Sequence, residues 1–402
     1  MKINTSAFIA LALTFATRAF SQVAPVDLDA TDTALFLAGL PPSTGSHLAE
    51  IAKDPAWQEH AKFFNTAWAS LDKNQLSKIR DWDAIYIPDA SAGKMPVFYM
   101  FSGPDYLYVD AFYPHASTYV LCGIEPVGAI PDITKIRPGS LPAALQNLQT
   151  SLNSVLSFSF FITKDMKNDL QNHELTGTLP LIYIFLARSS KTINEVSFVG
   201  IDSDGTLHAG GDAAPDHKAL TPGVKITFSQ PGATEPQTLY YFSTDISDDG
   251  IKKSGFLKFC KALSPGNSLV KSASYLMHES YFSTIRSFLL ENSITLIQDD
   301  SGIPVSYLAP DKWLVRYFGS YPGPIPIFNK YMQPQLFSIY QKSNPVPLDF
   351  GIGYRHYAKQ STLIVGTRKQ PAPPEASPTP AASPAGETPS SPSVSAATPA
   401  IQ

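Results

Sequence analysis

Short runs of β-branched and aromatic residues, separated by turn-forming residues, constrain the fold of this chain most strongly. Three such runs follow one another at residues 97–101, 105–113 and 118–122, with a Gly-Pro pair and a Pro-His pair between them. β-branched and aromatic side chains favour strands, whereas Gly and Pro favour turns. This block therefore predicts three strands of an antiparallel meander.

The same composition predicts further strands in the second half of the chain. They cover residues 224–228, 237–242, 294–297, 313–318 and 362–365. Residues 196–201 and 206–208 flank the sequence Asp-Ser-Asp-Gly, which is typical of a β-hairpin turn. The strongly apolar run at residues 179–188 fits either a helix or a buried strand.

Helical periodicity is clearest after Asp54, a natural N-cap that is followed by Pro55 at the first helical position. Apolar side chains then recur at helical spacing, at Trp57, Ala61, Phe64, Trp68 and Leu71. Further helices are predicted over residues 141–161, 250–263, 268–290 and 335–341, and the helix at 268–290 is either continuous or broken near His278. Strands and helices together predict an α+β fold, with helices packed on a mixed or mainly antiparallel sheet.

Two short stretches of the first half resemble stretches of the second. Residues 98–102 and 239–243 share three identities in five, and residues 198–205 resemble residues 296–302. Either the chain has two related α+β halves, or these short matches arose by chance. A stretch rich in Gly, Asp, Ala and Pro follows residue 209, so we expect a first domain or half at 22–210 and a second at 211–369.

The first 21 residues have the layout of a secretory signal peptide. Lys2 precedes an uncharged apolar run at residues 7–16, and Ala19 and Ser21 are small residues before a cut ahead of Gln22. This run is shorter than the roughly 20 residues that span a bilayer. We therefore expect an exported protein, periplasmic or extracellular.

The other end, residues 370–402, is rich in Pro, Ala, Ser and Thr, and only Val394 and Ile401 are larger aliphatics. Such a segment cannot bury enough apolar surface to offset the entropy of ordering, so a disordered tail is predicted. It is either inert, or a spacer or sugar acceptor in the cell envelope.

Composition limits the partners of the region between these ends. Hydrophobic residues make up 44% of the chain, which is enough for a core, and the formal net charge of −4 argues against a nucleic-acid partner. The apolar runs at residues 155–162 and 179–187 are too short to span a membrane, so the mature chain should have no membrane span. An envelope polymer or a protein is the expected partner.

The sequence has none of the common motifs for a nucleophile elbow, a P-loop, a dinucleotide fold or a zinc protease. His278 and Glu279 begin like a zinc-protease motif, but Phe282 occupies the position of its second histidine. No metal site is predicted, and the sequence leaves the identity of any cofactor open. Cys122 and Cys260, the two cysteines, fit either a disulfide or two buried free thiols.

Polar residues beside predicted strands are the candidates for a site. Asp299 and Asp300 follow the strand at 294–297, Asp245 follows the strand at 237–242, and Asp105 has the corresponding place in the first half. His115 lies in a loop, where an exposed imidazole can exchange protons near neutral pH. Carboxylates at strand ends either perform acid–base chemistry or bind a metal, or they cap backbone N–H groups in turns.

Three functions are compatible with this sequence, and it does not decide whether the protein is an enzyme. The favoured one is an exported binding or interaction protein of the cell envelope. The alternative is an exported hydrolase that uses the loop carboxylates and His115. A thiol–disulfide role of Cys122 and Cys260 is the weakest of the three, because neither cysteine lies in a CxxC motif.

Overall fold

The computed structural model describes residues 25–137, 139–158, 175–210 and 220–369. The predicted signal peptide, the tail from residue 370 and most of the predicted boundary after residue 210 lie outside the described residues. The division at residue 210 stays a prediction, as do the two related halves.

Ten described strands form one sheet. They are β1 (Val97–Tyr99), β2 (Thr118–Gly123), β3 (Thr192–Ile201), β4 (Leu207–Ala209), β5 (Thr221–Ser229), β6 (Gln237–Ser243), β7 (Gly266–Val270), β8 (Ser293–Gln298), β9 (Trp313–Gly319) and β10 (Thr362–Arg368). Their order across the sheet is β4-β3-β5-β6-β2-β1-β7-β8-β10-β9.

The sheet is mixed, which confirms the predicted fold class in its coarse form. The neighbouring strands from β6 through β2, β1 and β7 to β8 all pair in parallel. The strands on either side pair antiparallel, and β3 and β4 form the predicted hairpin. The carboxyl ends of the five parallel strands therefore meet at one edge of the sheet.

The described helices lie between these strands and before them. They are α1 (Leu28–Leu37), α2 (Leu48–Ile51), α3 (Pro55–Leu71), α4 (Ser77–Tyr86), α5 (Pro88–Ala92), α6 (Tyr106–Phe112), α7 (Leu141–Phe158), α8 (Leu179–Arg188), α9 (Asp248–Ile251), α10 (Phe256–Leu263), α11 (Ser283–Asn292) and α12 (Pro334–Ser343). Helix α3 starts at Pro55 with Asp54 as its N-cap, as predicted.

The predicted antiparallel meander is wrong at its middle strand. Residues 106–112 form helix α6, and the strands β1 and β2 that it joins are parallel. Asp105 starts the helix, because its carboxylate accepts a hydrogen bond from the Tyr108 N–H at 3.1 Å. Composition favoured a strand here, but a run that is buried on all sides has no periodicity to distinguish a strand from a helix.

The predicted helix over residues 268–290 is also wrong. Strand β7 ends at Val270, short 3₁₀ turns follow at Leu276–His278 and Ser280–Phe282, and α11 begins only at Ser283. The predicted helix at 250–263 is divided into α9 and α10. The ambiguous run at 179–188 is helix α8, with a proline in its first turn.

Apolar side chains cover both faces of the sheet. Val97 and Tyr99 face a core that includes residues of α1, α3, α6, α7 and α8, whereas Phe98 faces a second core with residues of α10, α11 and α12. Successive strand residues point to opposite faces of the sheet, so apolar side chains lie on both faces. Helices pack against each face and cover these side chains. Ligand sites of such sheets are usually found outside the carboxyl ends of the parallel strands.

Candidate functional site

A cleft of about 240 Å³ lies at the carboxyl ends of β6, β2, β1 and β7. The ends of β1 and β2 contribute Gly103 and Gly123 to its wall, and the segment after β7 contributes Ser272. Apolar side chains, including Phe101 and Phe282, line much of the remaining wall. A small, mostly apolar concavity with a few polar groups is typical of a small-molecule site.

The segment after β7 has an unusual backbone. Ser272, Ser274 and Tyr275 have φ angles of 53°, 49° and 54°, in the left-handed region. A non-glycine residue in this region costs about 1–2 kcal/mol. We call residues 271–275 the strand-end loop. Non-glycine residues persist in such conformations where the surroundings hold them, and they are concentrated at functional sites.

Side chains from three neighbouring positions hold the strand-end loop in place. The Ser272 N–H donates to Asp299 Oδ2 at 2.9 Å, and the Ala273 N–H donates to Ser301 Oγ at 2.8 Å. The Ser274 N–H donates to the Tyr354 hydroxyl at 3.0 Å. Three successive amides of the loop are therefore fixed by side chains from β8's end and from the segment before β10.

Asp299 is itself closely packed. Its Oδ1 accepts hydrogen bonds from the Ser301 N–H at 2.9 Å and from the Ser301 hydroxyl at 2.5 Å. Gly353, with a φ of +74°, packs against the other carboxylate oxygen, and a Cβ at this position would lie 2.1 Å from Asp299 Oδ2. A glycine is therefore needed at residue 353 both for its backbone angle and for the approach of Asp299.

An ion pair lies beside the loop, in the interior. Lys271 Nζ is 2.9 Å from Asp105 Oδ2, and the two side chains are 1% and 2% exposed. The Tyr99 hydroxyl donates to the same carboxylate oxygen at 2.9 Å, and the ammonium lies 4.2 Å from the centre of the Tyr108 ring. The pair thus connects the end of β7 to the start of α6.

Burial changes the titration of the two adjacent aspartates. It raises the pKa of Asp299, and together with the charge of Asp299 it raises the pKa of Asp300 to about 7. The Tyr275 hydroxyl donates to Asp300 Oδ2 at 2.5 Å. Both carboxyl groups are thus engaged with the strand-end loop.

The side chain of Ser272 differs from its backbone N–H in its hydrogen bonding. Its Oγ is buried and has no hydrogen-bond partner among the described residues, and the residue lines the cleft. A buried hydroxyl without a partner is an exception that calls for a physical reason.

The structure brings four of the five predicted site residues to one edge of the sheet. Asp105, Asp299 and Asp300 are buried there and support the strand-end loop and its surroundings. Asp245 is exposed, lines the cleft, and accepts hydrogen bonds from the Ser247 N–H and hydroxyl at 2.8 and 2.9 Å.

His115 lies at the opposite edge. It precedes β2, and its Nδ1 is 3.1 Å from the Gln230 side-chain amide in the segment between β5 and β6. The structure therefore does not bring His115 together with the four aspartates.

Sequence reasoning missed Ser272, Lys271 and Glu125. Lys271 and Ser272 lay inside the helix wrongly predicted for 268–290. Glu125 follows β2, and no motif distinguishes it. Lys271 could have been identified because it directly follows a short apolar run. Asp299 was identified from the same sequence pattern.

Cys122 and Cys260 are free thiols in the structure, both buried in the core that contains α10 and α11. Burial raises the pKa of both thiols, so neither has thiolate character at neutral pH. The disulfide between Cys122 and Cys260 therefore stays a prediction. The buried surroundings of the two thiols do not support a reactive cysteine at either position.

Comparison of the chain with protein-family models, curated proteins and solved structures gave no match. Within the described part of the chain, no helix is both long and apolar enough to cross a membrane. Among the same residues, no group of three or more His, Cys, Asp or Glu side chains is arranged to hold a metal ion.

Proposed function

We propose that this chain is an exported binding protein and that it holds a small organic ligand in the cleft at the carboxyl edge of the sheet. The observation that carries the proposal is that the Ser272 hydroxyl is buried without a partner among the described residues, in a residue that lines the cleft. An unsatisfied buried polar group costs about 1–3 kcal/mol, and a ligand that bonds it recovers part of that free energy.

The strand-end loop supports the same proposal. Its strained backbone is held by Asp299, Ser301 and Tyr354, so the position of Ser272 is fixed before any ligand arrives. A preorganised site loses less conformational entropy on binding than a flexible one. These hydrogen bonds therefore hold the backbone that positions the Ser272 hydroxyl.

Export enters the proposal from the sequence, through the signal-peptide layout of residues 1–21. The proposed place of action is the periplasm or the extracellular space. An envelope polymer or an envelope protein is the proposed source of the ligand group.

A thermal-shift screen of the purified full chain tests the proposal. The compounds are small amines, alcohols, carboxylates, amino acids and sugars, and the variants are Ser272→Ala and the matched control Ser70→Ala on the exposed face of α3. A ligand at 100 times its Kd adds about 2.7 kcal/mol of stability. We expect a shift in the wild type and the control that Ser272→Ala loses; a shift that Ser272→Ala retains would place the site elsewhere.

The hydrolase alternative keeps one specific observation in its favour. The pKa of Asp300, about 7, suits a carboxyl group that exchanges protons near neutral pH. Against it, both aspartates are engaged with the loop and Asp300 is only 5% exposed. Asp300→Asn decides between the two: a hydrolase would lose turnover while retaining ligand binding, and a binding protein would show no turnover in either form.

A further inference from the structure

A second cavity, of about 380 Å³, is lined by residues of α3, α4 and α6 and of the turn that joins α8 to β3. It shares no lining residue with the cleft at the carboxyl ends of the parallel strands. Its wall contains three cationic and two anionic side chains, which are Arg80, Arg188, Lys191, Asp72 and Asp110. Three positive charges minus two negative ones leave this wall with a formal charge of +1, although the chain as a whole carries −4.

Four of these five charges neutralise one another in pairs. Arg80 Nη2 lies 2.6 Å from Asp72 Oδ1, in a pair that is about half exposed. Lys191 Nζ lies 3.0 Å from Asp110 Oδ1, and both of these side chains are largely buried. Arg188 is therefore the cation whose charge the wall of the cavity does not balance.

The contacts of Arg188 in the described part of the chain are with neutral acceptors. Its Nε and Nη2 donate to the Ala38 carbonyl, at the end of α1, at 2.8 and 2.5 Å, and its Nη1 donates to Asn65 Oδ1 at 2.9 Å. The carbonyl end of a helix supplies only about half an elementary charge. Burial lowers the pKa of Arg188 to about 10, as expected for a cation that is partly removed from water with no carboxylate beside it.

The guanidinium of Arg188 keeps donors for one further group. It has five N–H donors, and the three hydrogen bonds use one on each nitrogen, so one N–H remains on Nη1 and one on Nη2. Its Cζ lies 5.6 Å from the centre of the Trp68 ring and 5.9 Å from that of Phe64, and these contacts restrict the plane of the guanidinium. Two N–H groups on one fixed guanidinium are the donors that bind both oxygens of a carboxylate.

From these observations we infer that this cavity is a second binding site and that it takes a small organic carboxylate. The two remaining N–H groups of Arg188 donate to the two carboxylate oxygens, and Leu76 and Leu107 provide apolar wall for the body of the ligand. A single negative charge balances the wall, whereas a second one would be repelled by Asp72 and Asp110. This inference goes beyond the proposed function, because it concerns a different cavity.

Calorimetric titration of the full chain at pH 7 and constant ionic strength tests the inference. The probes are acetate, butyrate and benzoate, each compared with its neutral amide of nearly the same shape. We expect at least one carboxylate to bind about tenfold or more tightly than its amide, because its hydrogen bonds to the guanidinium are charge-assisted. Phenyl phosphate should bind more weakly than benzoate. If no carboxylate binds more tightly than its amide, the inference is overturned.

Arg188→Lys assigns the carboxylate to its site, because lysine keeps the charge but cannot donate to both oxygens from one planar group. We expect the carboxylate to bind about tenfold or more weakly and the amide to be unaffected. Arg316→Lys is the matched control: Arg316 also donates to a carbonyl at a helix end, that of Tyr86 at 2.5 Å, and lies over a phenylalanine ring, but it does not line the cavity. Equal affinity in Arg188→Lys and the wild type would rule out the assigned contact.

Asp72→Asn keeps the test usable if Arg188→Lys does not fold. The Asp72 side chain is 46% exposed, and its neutral replacement leaves Arg80 unpaired and raises the formal charge of the wall to +2. Benzoate should then bind about twofold to threefold more tightly, and this gain should decrease with added salt. Unchanged or weaker binding in Asp72→Asn would show that the anion does not enter this cavity.

Ser272→Ala separates this inference from the proposed function. The carboxylate that binds beside Arg188 should bind equally well to Ser272→Ala and to the wild type. Binding that is lost in Ser272→Ala would assign the carboxylate to the cleft and overturn the second site. Binding that is lost in Arg188→Lys and retained in Ser272→Ala supports the second site, whether or not the cleft holds a ligand of its own.

Discussion

Asp299 is the residue on which the backbone of the strand-end loop depends most. Its carboxylate accepts from the Ser272 N–H, the Ser301 N–H and the Ser301 hydroxyl, and it is 1% exposed. Each buried donor that loses its partner costs about 1–3 kcal/mol. The position of Ser272 in the cleft is therefore set by a side chain that lies behind the loop.

Asp299→Ala should lower the free energy of unfolding by about 3 kcal/mol or more, because several buried donors lose their acceptor at once. Asp245→Ala is the control: its carboxylate accepts two hydrogen bonds, but it is exposed, and a loss of about 1 kcal/mol or less is expected. Urea denaturation of both variants measures the difference. Equal losses in the two variants would mean that Asp299 is not a buried support of the loop.

Buried titratable residues give the protein a specific pH dependence. Burial raises the pKa of Asp83 to about 8 and that of Asp300 to about 7, and it lowers the pKa of His60 and His278 to about 4. For each aspartate, folding disfavours the charged form, so the stability it contributes is present at low pH and lost as pH rises through the folded pKa. The two histidines act oppositely, but only up to about pH 6.5.

The free energy of unfolding should therefore fall between pH 6.5 and 8, where the histidines no longer contribute. The expected slope is at most about 1.4 kcal/mol per pH unit for each aspartate. Asp300→Asn should make the slope shallower mainly below about pH 7, and Asp83→Asn should make it shallower up to about pH 8. Denaturation at a series of pH values measures this; a stability that rises over this window would contradict the burial of these groups.

At the scale of elements, the ion pair between Lys271 and Asp105 joins β7 to α6. Removal of one partner of a buried pair leaves an uncompensated charge and typically costs about 3–5 kcal/mol. Lys271→Met should therefore destabilise the fold by an amount in this range. Asp105→Asn in addition should recover part of the loss, because the neutral side chain still caps α6 and leaves no buried charge.

A double-mutant cycle by chemical denaturation measures this coupling. If the double variant is as unstable as the sum of the two single variants, the charges do not interact across the ends of β7 and α6.

The elements also show which part of the fold the sequence could predict. The strands around residues 237–242, 294–297, 313–318 and 362–365 were predicted correctly, because β-branched and aromatic runs there are bounded by turn residues. Residues 106–112 have the same composition but form a helix, which the structure shows to be capped by Asp105.

The candidate site was predictable only in part. Aspartates after strands were identified by their position, and four of them do lie at one edge. These four aspartates lie at the same edge because the strands before them are parallel. The predicted antiparallel meander does not bring them to one edge. The strand-end loop was not predicted because the positive φ angles of Ser272, Ser274 and Tyr275 depend on tertiary contacts. The loop contains no glycine, which is the residue that would have suggested positive φ angles from the sequence.

At the scale of the whole molecule, we expect the residues before the predicted tail to supply the stability of the fold. Residues 370–402 contain no aromatic side chain and few large aliphatic ones, so they contribute little apolar surface for burial. A chain that ends at Lys369 should therefore unfold at the same midpoint as the full chain, within about 1 °C, when followed by circular dichroism. A clear loss of stability would show that the tail packs on the folded part.

Ser272 is proposed to present a binding group in a cleft prepared for a small ligand. This is tested by calorimetric titration of the compound with the largest shift in the thermal-shift screen into the wild-type chain, Ser272→Ala and Ser70→Ala. We expect saturable binding at one site in the wild type and in Ser70→Ala, and binding weakened about tenfold or more in Ser272→Ala. Equal affinity in Ser272→Ala and the wild type would mean that the Ser272 hydroxyl does not contact the ligand.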